Sequence, residues 1–319
     1  MRLLIVRLSS LGDVVHTLPI AANARRSGAR VFWVVEAAYS DLLESNPNVD
    51  RVVIADTKQW RRRLLSRSTS SEISSLVREL RDLTPDATID AQGLWKSALI
   101  ARSAGAPVIG FSAGDRKEPS SAVLCDRPVR PLSGGHVVDR NLALAEAAGI
   151  PVADRSPDAR FLLGRPTPEA DAFLAEQPRP FALYHPGARR SEKTWGEERF
   201  AALAALLSST GGLAPVLSWG PGDEKRVRRL SGLLPLARIL PPLTLPGLAR
   251  VVAKTSLFVA GDTGPLHLAD ALRVPTLALF GPTDPARNGP YRRPGSAVRY
   301  DAKTGAEEVA RKALEVIAA

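Results

Sequence analysis

Cysteine is almost missing from this chain: Cys125 is the only one in 319 residues. A single thiol excludes an internal disulfide framework and a zinc cluster built on cysteines, and it fits a reducing compartment. Aromatic residues are also scarce at 5%, but the 45% of hydrophobic residues is enough to fill full cores. No apolar run reaches the roughly 18 residues that a membrane-spanning helix needs. The N-terminal "LLIV" is too short for a secretory signal, so a cytoplasmic protein is expected. Common catalytic signatures are missing too. The chain has no G-x-x-x-x-G-K-[ST], G-x-G-x-x-G or H-E-x-x-H. That removes the usual marks of P-loop NTPases, dinucleotide oxidoreductases and zincins. No D-x-D pair is present either, so the metal–diphosphate clamp of one large glycosyltransferase class is not visible. Neither a metal nor a cofactor is expected.

Positive charge, by contrast, is plentiful: 43 Lys and Arg against 33 Asp and Glu, a net +10. The excess favours acidic partners, whether nucleic acid, anionic lipid headgroups or phosphorylated substrates. Its densest cluster, "KQWRRRLLSR", sets Lys58, Arg61, Arg62, Arg63 and Arg67 around Trp60; a solvated basic face is the plain alternative.

Short β-branched runs alternate with helical patterns, the mark of βαβ units and parallel sheets. Strands are expected at 3–6, 31–35, 52–54, 87–90 and 107–110. A second series follows at 181–185, 215–219, 257–260 and 276–280, after a Pro- and charge-rich stretch from Pro151 to Pro168. We therefore expect an α/β protein of two domains, 1–155 and 156–319, whose strand-end loops line a cleft, the usual ligand position for open parallel sheets. The closing "AEEVARKALEVIAA" reads as an amphipathic helix, free to pack back on the N-terminal domain. No internal repeat is visible; the halves share an alternation, not a sequence.

Two strand ends carry the chemistry. In "RLSSLGDVVHTLP" the apolar positions Val14, Val15, Leu18 and Ala22 predict a helix starting just after Asp13. That places one carboxylate between a strand end and a helix start, with His16 read as structural. In "FVAGDTGPLHLADAL" a strand breaks at Gly261, Asp262, Thr263 and Gly264 before Pro265 opens a helix. Such a helix start suits a phosphate or diphosphate, although a plain capped helix gives the same pattern. The loop "HPGARRSEKTW" carries Arg189, Arg190 and Lys193, cations placed to pair with phosphates. In "SWGPGDEKR", Asp223 and Glu224 could hold a ribose or simply cap a helix.

With "SSLGDVVHTLP", "DAQGLWKSALIAR", "EKTW", "GDTGPLHLADAL" and "FGPTDP" in this order, the chain resembles the family 9 glycosyltransferases. Within the family it is most similar to the type I heptosyltransferases of lipopolysaccharide inner-core synthesis. The resemblance implies a GT-B fold of two Rossmann-like domains with parallel sheets facing a central cleft. The acceptor would sit on the N-terminal domain and the nucleotide sugar on the C-terminal one. It also implies inverting, metal-independent transfer of heptose from ADP-heptose to the Kdo of Kdo-lipid A. Carried over residue by residue, it makes Asp13 the catalytic base and gives donor binding to Lys193, Asp262, Thr263, Gly264 and His267. A ribose-contacting acid is implied at Asp223 or Glu224. Acceptor binding falls to Arg61, Arg62 and Lys117, with Ser10 and Gly12 shaping the turn at the base. The partners implied are ADP-heptose, Kdo-lipid A and the anionic cytoplasmic face of the inner membrane, with no nucleic acid, for a monomeric peripheral enzyme. The loop "HPGARRSEK" departs from type I wording toward other family members. This keeps heptosyltransferase II, or another family 9 transferase with a different donor or acceptor, as the alternative. A basic nucleic-acid-binding protein is the distant one, and no recognised motif supports it.

Overall fold

A computed structural model describes residues 1–63, 66–187 and 195–318. The chain divides into two compact units, Met1–Pro157 and Asp158–Ala319.

In the first unit the strands are β1 (Arg2–Val6), β2 (Arg30–Val35), β3 (Arg51–Ile54), β4 (Ala87–Asp90), β5 (Val108–Phe111) and β6 (Arg127–Val129). They form a parallel sheet in the order β3-β2-β1-β4-β5-β6. The helices are α1 (Leu11–Val15), α2 (Leu18–Arg26), α3 (Thr57–Arg62), α4 (Arg67–Asp82), α5 (Trp95–Ser103) and α6 (Val137–Ala147). Leu3, Leu4, Ile5 and Val6 of β1 are all fully buried. The continuous apolar run follows from helices covering both faces of a central parallel strand.

In the second unit the strands are β7 (Phe181–His185), β8 (Ala214–Leu217), β9 (Arg238–Ile239), β10 (Leu257–Gly261), β11 (Thr276–Phe280) and β12 (Ala297–Arg299), in the order β12-β11-β10-β7-β8-β9. The helices are α7 (Pro168–Ala175), α8 (Glu197–Gly211), α9 (Glu224–Leu233), α10 (Leu245–Val252), α11 (Gly264–Ala271), α12 (Pro285–Asn288) and α13 (Ala306–Ala318). Counted within the unit, this sheet has the same 3-2-1-4-5-6 order as the first. Each is a doubly wound Rossmann-like sheet of the GT-B type, and its order reverses between its first and fourth strands. Ligands of such sheets bind at that reversal, outside the strands' carboxyl ends. The two switch points are β1/β4 and β7/β10.

The last helix, α13, buries Val309, Ala313 and Val316 in the same cluster as Leu203 and Leu207 of α8, so its apolar face is used within the second unit. No helix among the described residues is long and apolar enough to cross a membrane. The edge strands β6, β9 and β12 are absent from the sequence reading. Each is two or three residues long with no buried residue, and β6 contains Pro128, which a sheet tolerates at its edge.

Candidate active site

At the first switch point, β1 ends at Val6 and α1 begins at Leu11, earlier than the sequence predicts. Asp13 therefore lies inside the first turn instead of preceding it. The reason is a reciprocal cap. Ser10 sits extended before the helix, its backbone N–H donates to Asp13 Oδ2 at 3.0 Å, and its hydroxyl donates to the same oxygen at 2.9 Å. The other carboxylate oxygen pairs with the Arg7 guanidinium at 2.6 Å. Arg7 is buried, and it also donates to the Ala91 carbonyl beyond β4. Gly12 is buried, and its carbonyl accepts the His16 N–H.

Burial alone would push the Asp13 pKa up. The charge of Arg7, the hydrogen bonds from Ser10 and the charge of Lys117 together outweigh it and hold the carboxyl well below the usual carboxylate range. Asp13 is therefore an anion throughout the physiological range, with 28% of its side chain still exposed. Lys117 is solvent-exposed and acts on Asp13 through its charge, so the structure brings these two predicted residues together. Arg61 and Arg62 lie exposed at the end of α3, and no contact joins them to Asp13 among the described residues. Trp60, among these arginines, donates its indole N–H to Glu72 at 2.8 Å and packs its ring on the first unit's core.

Sequence reasoning missed the supports of this site. Gln92 Oε1 accepts the backbone N–H of Leu8 at 2.7 Å and of Ser9 at 3.3 Å, tying the loop before Asp13 to the end of β4. Behind it lies a fully buried pair, Arg116 to Asp90 at 2.9 Å, and the other Asp90 oxygen accepts the N–H groups of Gln92 and Gly93. A Cβ at Gly110 would run into the Arg116 guanidinium, which explains the glycine there. The signal was present in two stretches already quoted: Arg7 opens "RLSSLGD", and "DAQG", one of the motifs behind the resemblance, holds Asp90 and Gln92.

Four of the remaining candidates lie at the second switch point. β10 ends at Gly261, Thr263 caps α11 in an extended conformation, and Gly264 and Pro265 form its first turn. His267 is nearly buried, and its Nε2 lies 3.4 Å from Asp262 Oδ1. Thr263 Oγ1 is buried with no hydrogen-bond partner among the described residues. Asp262, Thr263, Gly264 and His267 thus share one strand end, with helix N–H groups and the positive end of its dipole directed at an anion. Beside β10, β7 ends at His185, and the loop after it contains Arg189, Arg190 and Lys193, all outside the described residues. Asp223 caps α9 and its carboxylate lies against Gly187, where a Cβ would collide with it, whereas Glu224 is exposed. Burial raises the Asp223 pKa, with smaller opposing effects from the Gly220 backbone and Arg226. Among the described residues no three His, Cys, Asp or Glu side chains are grouped to hold a metal ion.

Comparison with known proteins places this arrangement. A family model, glycosyltransferase family 9 (heptosyltransferase), matches residues 73–317. Lipopolysaccharide heptosyltransferase 1 of Pseudomonas aeruginosa is 37% identical over 298 residues, which span 92% of this chain and 82% of that one. Its namesake from Escherichia coli K12 is 33% identical over 300 residues, 91% of each chain. Among solved structures, E. coli heptosyltransferase WaaC with ADP aligns at a TM-score of 0.83 and 31% identity, over 99% of this chain and 100% of that one. E. coli heptosyltransferase II, 20% identical at a TM-score of 0.76, shares the fold. With a family model spanning most of its length and relatives above 30% identity along nearly all of it, this chain belongs to glycosyltransferase family 9, the heptosyltransferases.

Proposed function

We propose that this protein is the heptosyltransferase that moves L-glycero-D-manno-heptose from ADP-heptose to the Kdo of Kdo-lipid A, with inversion and without a metal. The observation that carries the reading is Asp13: a carboxylate kept ionised at a strand end, beside a cation, in a family 9 chain. Its similarity to a WaaC structure with an ADP-heptose analogue supports this donor, and its similarity to relatives named heptosyltransferase 1 supports this acceptor over that of heptosyltransferase II.

In the reaction the acceptor hydroxyl oxygen forms a bond to the anomeric carbon as the bond from that carbon to the diphosphate breaks. The hydroxyl proton passes to Asp13 Oδ. A carboxylate of low pKa suffices, because the oxygen becomes strongly acidic once it has begun to bond to carbon. Charge grows on the departing ADP, and it is met by the first-turn N–H groups of α11 and by Lys193. Asp262 and His267 orient the sugar, and Asp223, of the two acids after "WGPG", accepts from the ribose. Lys117, Arg61 and Arg62 pair with the acceptor's carboxylates and phosphates, while Ser10 and Gly12 shape the turn it approaches. The enzyme works as a monomer on the cytoplasmic face of the inner membrane, where a lipid-linked acceptor resides.

The test is heptose transfer from ADP-heptose to Kdo-lipid A by the wild type and by Asp13→Ala. Loss of roughly 10²–10⁴-fold in turnover, with ADP-heptose still raising the melting temperature of the variant, is expected. Near-normal turnover would remove Asp13 as base. A stronger thermal response to another nucleotide sugar would reassign the donor.

A further inference from the structure

We propose that the face formed by α5 and the turn Pro119–Leu124 docks the enzyme on an anionic phospholipid bilayer, an inference that rests on the lipid-linked acceptor argued above. The exposed positions of α5 are Trp95, Leu99 and Arg102, spaced i, i+4, i+7 and so aligned on one side of the helix. Trp95 is 40% exposed, Leu99 56% and Val123, on the turn, 76%. Two ties hold helix and turn side by side. The Trp95 indole N–H donates to Ser120 at 3.1 Å, and Arg102 bridges Asp126 at 2.8 Å. Leu99 and Val123 both fall between these ties, so the three apolar side chains make one plate.

Isolated exposed leucines are ordinary, but an apolar plate rimmed by charge of one sign marks an interaction surface. Here the sign is positive. Lys117, Arg127 and Arg130 are exposed and form no ion pair among the described residues. The acids nearby are committed: Glu118 accepts the backbone N–H of Trp95, and Asp126 is held by Arg102 and the Val108 N–H. Tryptophan and aliphatic side chains among unpaired cations match the boundary between headgroups and acyl chains, and the net +10 charge adds long-range attraction to an anionic leaflet. The plate also adjoins the chemistry. Trp95 follows Gln92, which holds the loop before Asp13, and Lys117 is the cation that acts on Asp13. Docking here would bring a membrane-embedded acceptor to the right edge of the sheet.

The experiment is co-sedimentation of the full chain with phosphatidylglycerol-rich vesicles and with pure phosphatidylcholine vesicles, both free of acceptor. The wild type is expected to bind the anionic vesicles only. Arg127→Gln/Arg130→Gln should weaken that binding about 30-fold at low salt, from about five-fold per cation near an anionic surface. Leu99→Gln/Val123→Gln should weaken it roughly ten-fold at every salt concentration. Both variants should keep wild-type turnover on a water-soluble, deacylated Kdo acceptor. Wild-type vesicle binding by both variants overturns the docking face, and so does failure of the wild type to bind anionic vesicles. Loss of turnover on the soluble acceptor would instead make the plate part of the acceptor site. If the wild type bound vesicles but did not transfer heptose to the soluble acceptor, the proposed function would fail while the docking face stood.

Discussion

Removing the Arg7 guanidinium should make the ionisation of Asp13 visible in the enzyme's pH profile. The two groups are 2.6 Å apart, Arg7 is buried, and Asp13 keeps 28% exposure. At an effective dielectric of about 20, unit charges about 4 Å apart attract by about 4 kcal/mol. Solvent at the open side of the carboxylate reduces this, and an adjacent arginine typically lowers an Asp pKa by about one to three. In the wild type, kcat/KM should show no acid limb from Asp13 at any pH where the protein is folded. In Arg7→Met the burial that raises the Asp13 pKa is left opposed only by Ser10 and Lys117, and a limb should rise into the range of about pH 4–5. Arg7→Lys keeps the charge and should keep the limb low.

The same linkage limits what stability measurements would show. A carboxylate with a depressed folded pKa contributes stability that is present above the ordinary Asp value and is lost as pH falls through the folded one. Between pH 5 and 8 that contribution is constant. Arg7→Met still loses about 1–3 kcal/mol there, because the Ala91 carbonyl is left unpaired in the interior. The assay is the kcat/KM profile from pH 4 to 8, normalised to each enzyme's plateau so that a loss of absolute rate does not enter. An Arg7→Met profile overlying that of the wild type would refute both the electrostatic account and the assignment of Asp13 as the titrating base.

Two further perturbations test the supports of the two switch points. Gly110→Ala should displace Arg116 from Asp90, and breaking a fully buried pair costs about 3–5 kcal/mol, a melting-temperature loss of roughly 6–20 °C by calorimetry; an unchanged melting temperature would show that Arg116 has another place to go. His185 is buried, with its pKa lowered to about 4 by desolvation. Ser218 Oγ donates to the Tyr184 carbonyl, so His185 Nδ1–H donates to Ser218 at 3.0 Å and the ring is neutral. The unfolded chain takes up this proton near pH 6.5 and the folded one near 4. Stability is therefore full above pH 6.5 and falls by about 3 kcal/mol toward pH 4. Urea titrations at the two pH values should show that extra loss in the wild type but not in His185→Gln, and equal slopes would place the proton elsewhere.

The central strands were legible in the sequence because burial on both faces leaves an unbroken β-branched run, as in "LLIV" and "TLALF". The edge strands β6, β9 and β12 were not, because "RPV", "RI" and "AVR" are only two or three residues long, too short to show either a run or an alternation. Asp13 was legible as a lone carboxylate at a strand end, but its environment was not. Arg7 precedes it by six residues and Gln92 follows by 79, and only the β1–β4 pairing brings them to one point. The same limit hid the likeness of the two halves. Their sequences share no repeat, yet both sheets run 3-2-1-4-5-6, because the order is set by right-handed crossovers and helix-covered parallel strands rather than by residue identity. The shared order has a chemical consequence. Each unit has one reversal point where helix N-termini and loops converge, and in each the candidate residues sit at that point: Asp13 after β1, and Asp262, Thr263 and Gly264 after β10. One sheet order can thus carry the proposed base at the switch point of one unit and a helix start suited to an anion at that of the other. What separates them is the loop chemistry: an Arg-held carboxylate after β1, and, after β10, a Gly-Pro helix start with a buried threonine hydroxyl that has no partner among the described residues.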